Sequence, residues 1–132
     1  DVDVTAFGRQ IGEIPGMPAV FKADSILVDK AKTILNEMNI TYHHGLIVSG
    51  DQFIHQKVQV DEIKNNFPNA LCSEMESTAI AQTCYKYQIP FIITRSLSDV
   101  FGKGNSSIQF DEYLKKASEA SAKLCVELVK VA

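Results

Sequence analysis

Ala70-Leu71-Cys72-Ser73-Glu74-Met75-Glu76-Ser77-Thr78-Ala79-Ile80-Ala81 is the stretch that decides how this chain of 132 residues is read. Its first three residues form a short apolar run, the composition of a buried strand. From Ser77 to about residue 87 the spacing predicts a helix. Between strand and helix, two acids flank a methionine. A strand that passes into a helix through polar residues is the junction of an α/β sheet, and such sheets bind ligands at the carboxyl ends of their strands. Glu74 and Glu76 therefore have two readings. Acids at a helix start are favoured by the macrodipole. A core strand end is nonetheless a costly place for two carboxylates unless something uses them.

The same alternation extends in both directions. Asp24 is a good N-cap, and Ile26, Leu27, Ala31, Ile34, Leu35 and Met38 follow at helical spacing until Asn39 stops the run. Thr41 to Ser49 reads as a strand with Leu46-Ile47-Val48 at its centre, and Gly50-Asp51 turns the chain. A polar helix over roughly 56–66 is closed by Phe67-Pro68-Asn69. On the far side, Pro90 to Thr94 is an apolar, β-branched strand running into Arg95-Ser96-Leu97-Ser98-Asp99. A Gly/Asn/Ser loop covers 102–107, and a last helix runs over about 108–130, with Phe110, Leu114, Ala117, Leu124 and Leu128 on or near one face. Residues 5–22 form a long irregular loop, and loops of that length tend to be functional. Residues 1–4 alternate like the end of a strand, and no initiating Met precedes them, so the chain is expected to be part of a longer protein. Strands alternating with helices predict the α/β class, with residues 1–132 as one domain or part of one.

Composition narrows the function classes. Hydrophobic residues make up 45% and charged residues 22%, the balance of an ordinary globular protein. The net charge of −3, with no basic run or basic helix face, argues against nucleic acid as partner. The apolar stretches are too short to span a membrane. Cys72, Cys84 and Cys125 are odd in number and far apart, which is no disulfide framework. They are expected to be small core residues in a reducing cytoplasm. His43, His44 and His55 show no metal-ligand spacing with the cysteines, so neither metal nor cofactor is expected. No phosphate-binding glycine loop or serine-nucleophile motif is present.

Polar residues just past a strand end are the site candidates, and three clusters qualify: Ser49 to Ile54, Ser73 to Glu76, and Arg95 to Asp99. Phe53 can stack on a planar ligand or cap the sheet as a core residue. Asp99 can hydrogen-bond a ligand or donate a proton if its pKa is raised. The plainer alternative is an ion pair of Arg95 with Asp99 or Glu76. Acids, one arginine, a methionine and aromatics together suit a neutral, polyhydroxylated, aromatic ligand better than a phosphate.

Taken together, Asp3-Val4-Thr5-Ala6-Phe7-Gly8, Val48-Ser49-Gly50-Asp51-Gln52-Phe53-Ile54, Glu74-Met75-Glu76-Ser77-Thr78-Ala79-Ile80-Ala81 and Arg95-Ser96-Leu97-Ser98-Asp99 resemble the bacterial 5′-methylthioadenosine/S-adenosylhomocysteine nucleosidases. The resemblance spans essentially the whole chain. It implies a three-layer αβα, phosphorylase/hydrolase-like sheet with flanking helices, of which this chain is the carboxyl-terminal part. The missing amino-terminal half would carry a glutamate that handles the catalytic water. The implied reaction is hydrolysis of the N-glycosidic bond, releasing adenine and a 5-thioribose product, in a cytoplasmic homodimer serving methionine salvage.

By the same resemblance, Glu76 would bind the ribose hydroxyls and steady the oxocarbenium cation. Asp99 would protonate adenine N7 with support from Ser98, and Arg95 would order the water. Met75 would pack on the ribose, and Glu74 joins the substrate-binding set. Phe53 would stack on adenine, Ile54 would read its edge through backbone groups, and Phe110 would line the alkylthio pocket. Val4, Phe7 and Pro15 would reach the partner subunit's alkylthio pocket. Arg9 stands where the family commonly has an aromatic residue, and the 102–107 loop is variable in the family. A purine nucleoside phosphorylase of the same superfamily, an inactive fragment, or a generic α/β binding module are the alternatives.

Overall fold

The structure, a computed structural model, describes residues 5–97 and 107–131, with side chains from 114 onward in the second stretch. The elements run α1 (Ser25–Glu37), β1 (Leu46–Ser49), α2 (Lys57–Asn66), β2 (Ala70–Glu74), α3 (Ser77–Tyr87) and α4 (Ser107–Val131), with a single 3₁₀ turn at Thr5–Phe7 before them. The chain divides into two compact units, one of residues 1–22 and 44–91, the other of 23–43 and 92–132.

The first unit is built on a parallel pair. β1 and β2 are joined through α2, the right kind of crossover for parallel strands. Leu46 pairs with Ala70, but Ile47 pairs with Cys72, so Leu71 is an extra residue at the start of the ladder. Gly45 makes room for it: a Cβ there would meet Leu71 Cδ1 at 2.6 Å and Cγ at 3.0 Å. After the irregularity the register runs Val48 to Ser73 and Ser49 to Glu74, so both strands end at one level. α3 packs on β1 and buries Ala81 and Ser77. Phe21 meets Tyr85 edge to face, ring centroids 5.6 Å apart.

The second unit packs α1 against α4. Asp24 caps α1 as its sequence predicts, its Oδ1 accepting from the Leu27 N–H at 2.9 Å. Ala31 and Ile34, one turn apart, and Leu124 are buried. Lys30 Nζ donates to the Val131 carbonyl, and the Ser96 and Ser121 hydroxyls bond at 2.8 Å, tying the 92–97 segment to α4.

Three expectations need correction. The strand expected over Thr41 to Ser49 is confined to Leu46–Ser49. A strand extends only as far as its partner, and the five-residue β2 begins at Ala70, the partner of Leu46. Pro90 to Thr94 is not assigned as strand, because no described residue supplies it with a hydrogen-bonded neighbour, and an apolar run becomes sheet only by pairing. Cys125 is exposed and Cys72 and Cys84 are half-buried, so the cysteines are not core residues. On α4 each residue turns about 100° from the last, which carries Cys125 away from the direction of buried Leu124. Residues 1–4 and most of the 102–107 loop lie outside the described residues.

Candidate functional site

The ends of β1 and β2 carry two of the three candidate clusters side by side. A backbone bond from the Gly50 N–H to the Glu74 carbonyl, 3.2 Å, extends the parallel pairing into the turn. Beyond it the two chains diverge, one toward Phe53-Ile54 and α2, the other through Met75-Glu76 into α3.

The two acids of the second cluster have different tasks. Glu74 Oε2 accepts from the Glu76 N–H at 3.1 Å. Both Glu74 oxygens accept from the Ser77 N–H, at 3.1 and 3.0 Å. Those N–H groups stand at the start of α3 and have no partner inside the helix. Ser49 is the register partner of Glu74, and its Oγ accepts from the Thr78 N–H at 3.2 Å. Partial burial pushes the Glu74 carboxyl up, but the hydrogen bonds from Ser49, Glu76 and Ser77 outweigh it and hold the group below its ordinary value. Glu76 occupies the cap position of α3, yet its side chain makes no capping hydrogen bond. The helix-start reading thus holds for Glu74 and not for Glu76. Glu76 is exposed, and Met75 between the two acids is 43% exposed, while Ser77 is buried.

Phe53 is 71% exposed and Ile54 half-buried on the path from β1 to α2. The His55 ring lies nearly parallel to Phe53, with an interplanar angle of 14° and centroids 6.1 Å apart. Its Nδ1–H donates to the Phe53 carbonyl at 3.1 Å. Gln59, on the first turn of α2, reaches back so that its Oε1 accepts from the His55 and Gln56 N–H groups at 3.1 and 3.0 Å. This ties the aromatic segment to the helix start by one half of a capping box.

Gln59 is a positioning group that the sequence reading did not single out; Ser49 entered only as the first residue of the Ser49 to Ile54 cluster, and His55 only as a histidine without metal-ligand spacing. For Gln59 the signal was present, since a Gln three residues after the helix entry is the capping-box spacing. For Ser49 no local signal exists, because its partners are 25 and 29 residues away in sequence.

Arg95 is exposed in the second unit, one residue before the Ser96–Ser121 bond. Ser98, Asp99 and Val4 lie outside the described residues, as does the side chain of Phe110, whose backbone belongs to α4. Phe7 is 84% exposed and Pro15 is exposed. Arg9 pairs with Glu13 at 2.8 Å. Among the described residues no group of His, Cys, Asp and Glu could hold a metal ion, and no helix is long and apolar enough to cross a membrane.

Comparison with known proteins adds four findings. The family described as the phosphorylase superfamily matches residues 1–130. A 5′-methylthioadenosine/S-adenosylhomocysteine nucleosidase of Staphylococcus saprophyticus is 50% identical over 98% of this chain and 57% of its own length. Among solved structures, the nucleosidase of Neisseria meningitidis in complex with methylthio-immucillin-A superposes with a TM-score of 0.87 at 45% identity, over all of this chain and 57% of that one. The nucleosidase of Colwellia psychrerythraea in complex with adenine gives 0.84 at 41%, over 98% of this chain and 54% of that one. The chain thus takes the fold of these proteins and spans a little over half their length.

Proposed function

We propose, because this chain belongs to the phosphorylase superfamily, that residues 1–132 are the carboxyl-terminal portion of a single α/β nucleosidase domain that hydrolyses 5′-methylthioadenosine and S-adenosylhomocysteine. The observation that carries the reading is the division of labour at the β2 end. Glu74 caps α3 while the Glu76 side chain does not, and the exposed Phe53 leaves the neighbouring strand end. Support comes from relatives at 45–50% identity that are named as nucleosidases and from structural neighbours in complex with adenine and with a methylthio analogue.

The chemistry assigns each residue a task. Water attacks the anomeric carbon as the glycosidic bond to adenine breaks, and positive charge builds on the ribose. Glu76 accepts hydrogen bonds from the ribose hydroxyls and steadies that charge. Asp99, supported by Ser98, protonates N7 so that adenine leaves as a neutral base. Arg95 orders the water and nearby carboxylates. Phe53 stacks on adenine, Ile54 reads its edge through the backbone, Met75 packs on the ribose, and Phe110 lines the alkylthio pocket. The water-activating acid comes from the amino-terminal half that this reading implies. The enzyme works as a cytoplasmic homodimer in which Val4, Phe7 and Pro15 reach the partner's pocket.

The test is adenine release from both nucleosides by the full-length protein, with and without inorganic phosphate. Equal rates with free thioribose as product support hydrolysis. Strict dependence on phosphate, with the 5-thioribose 1-phosphate formed, would replace the reading with a phosphorylase. No cleavage under either condition would leave a binding module or an inactive fragment.

A further inference from the structure

The backbone on either side of Ile54 is held by two side chains that the mechanism above does not use. The His55 Nδ1–H donates to the Phe53 carbonyl at 3.1 Å, and the His55 N–H donates to Gln59 Oε1 at 3.1 Å. From this geometry we infer that His55 and Gln59 are positioning residues that aim the Ile54 N–H and the Ile54 carbonyl at the edge of the base. The inference rests on the proposed nucleosidase reading, in which Ile54 reads adenine through its backbone. It deepens that reading by naming what fixes those two groups.

The peptide unit carries the argument. The peptide bonds here are trans, and in a trans unit the N–H and the carbonyl point in opposite directions across a rigid plane. The Phe53 carbonyl and the Ile54 N–H share one such plane. Holding the carbonyl with the His55 ring therefore sets the direction of the Ile54 N–H. The Ile54 carbonyl and the His55 N–H share the next plane, so the bond to Gln59 sets the direction of the Ile54 carbonyl. Among the described residues no partner bonds either Ile54 group. One donor and one acceptor on adjacent rigid planes complement the N1 acceptor and the 6-amino donor on the Watson–Crick edge of adenine.

The two holders are themselves held. A carbonyl only accepts, so His55 Nδ1 carries the hydrogen, and Nε2 is left to accept from the Gln56 side-chain amide at 3.2 Å. The same ring lies nearly parallel to Phe53, so the residue that aims the Ile54 N–H also lies against the ring that stacks on adenine. Gln59 Oε1 accepts from the Gln56 N–H as well, at 3.0 Å, and Gln59 belongs to the first turn of α2. The base-reading backbone is thereby referred to a helix, and a site built on rigid elements holds its geometry better than one built on loops.

The test uses the full-length protein and inhibition of methylthioadenosine hydrolysis by three free bases: adenine, 1-deazaadenine, which lacks the N1 acceptor, and purine, which lacks the 6-amino group. His55 is exposed, so His55→Phe spares the core; it keeps a ring and loses the donor. It should cut the advantage of adenine over 1-deazaadenine by about three- to tenfold, the worth of one neutral hydrogen bond, and leave the advantage over purine within about twofold of wild type. Gln59→Leu should do the reverse. Gln59→Glu, whose carboxylate still accepts both amides, should restore the wild-type pattern. The losses should appear in KM, with kcat within about threefold of wild type, because base-edge contacts are made in ground and transition states alike. An unchanged pattern in His55→Phe and Gln59→Leu would overturn the inference. So would affinity for all three bases falling by one common factor, the mark of general loosening. A wild type that binds the three bases equally would instead overturn the role of Ile54, and absence of hydrolysis by the wild type would overturn the hydrolase reading, each taking this inference with it.

Discussion

Ser49 and Glu74 are register partners at the ends of two parallel strands, and their side chains share the amino terminus of α3 between them. The serine accepts from the Thr78 amide, and the carboxylate serves the two preceding amides. Such hydrogen bonds hold a carboxylate in its ionised form. Four consequences can be measured here and elsewhere in the molecule.

Acid stability should depend on Glu74. Its folded-state pKa is depressed, so the stabilisation is fully present above the unfolded carboxylate value of about 4.3. It fades as pH falls through the lower folded value. Glu74→Gln should cost about 0.5–2 kcal/mol at neutral pH, the usual worth of a helix cap. The difference from wild type should shrink below pH about 4. Thermal unfolding from pH 7 to pH 3 reads this directly, and a gap that stays constant on acidification would contradict it.

Phe53→Ala should separate binding from folding. The ring is 71% exposed, so its removal should change stability by no more than about 0.5 kcal/mol. Loss of base stacking should weaken adenine by about 1–3 kcal/mol. Calorimetric titration with adenine, beside a melting curve, tests both halves. Unaltered adenine affinity would remove Phe53 from the site.

Glu76→Gln and Asp99→Asn should fail differently. A neutral amide at 76 loses what a carboxylate gains from the developing cation, so a cationic ribose mimic should lose more affinity than adenine does. Asp99→Asn should lower turnover about 10²–10⁴-fold with the melting point preserved, the loss typical of a missing general acid. Equal losses for mimic and adenine, or near-normal turnover in the Asn variant, would each refute the role assigned.

The isolated 132-residue chain should associate and show no hydrolysis. Among the described residues the buried apolar side chains are Ala31, Ile34, Ala81 and Leu124, while Phe7, Tyr87 and Val129 are largely exposed. Apolar surface on that scale favours self-association. Sedimentation combined with a hydrolysis assay checks the expectation. A monomer that releases adenine from methylthioadenosine would contradict both the half-domain reading and the shared-pocket dimer.

Where a signal was local, the sequence was enough. Asp24 precedes a run of apolar residues at helical spacing and caps α1 as expected. Ser77–Tyr87 is the helix its pattern predicts, and Phe67-Pro68 closes α2 at Asn66. The strand-end filter selected both clusters that the parallel pair carries side by side.

Pairing was not legible in the same way. Pro90 to Thr94 has the composition of a strand, but composition cannot supply a neighbour, and strand hydrogen bonds are made with a partner or not at all. The division between Glu74 and Glu76 was also beyond the sequence, which offers both as acids at a helix start. It took the register placing Ser49 beside Glu74, across 25 residues of chain, to commit one carboxylate to the amides of α3 and leave the other out of the cap. Periodicity and capping depend on neighbours a few residues apart, so the sequence alone determined the helices and the carboxyl ends of β1 and β2. Which acceptor meets which donor depends on distances set by the folded sheet, and only the tertiary structure decided that.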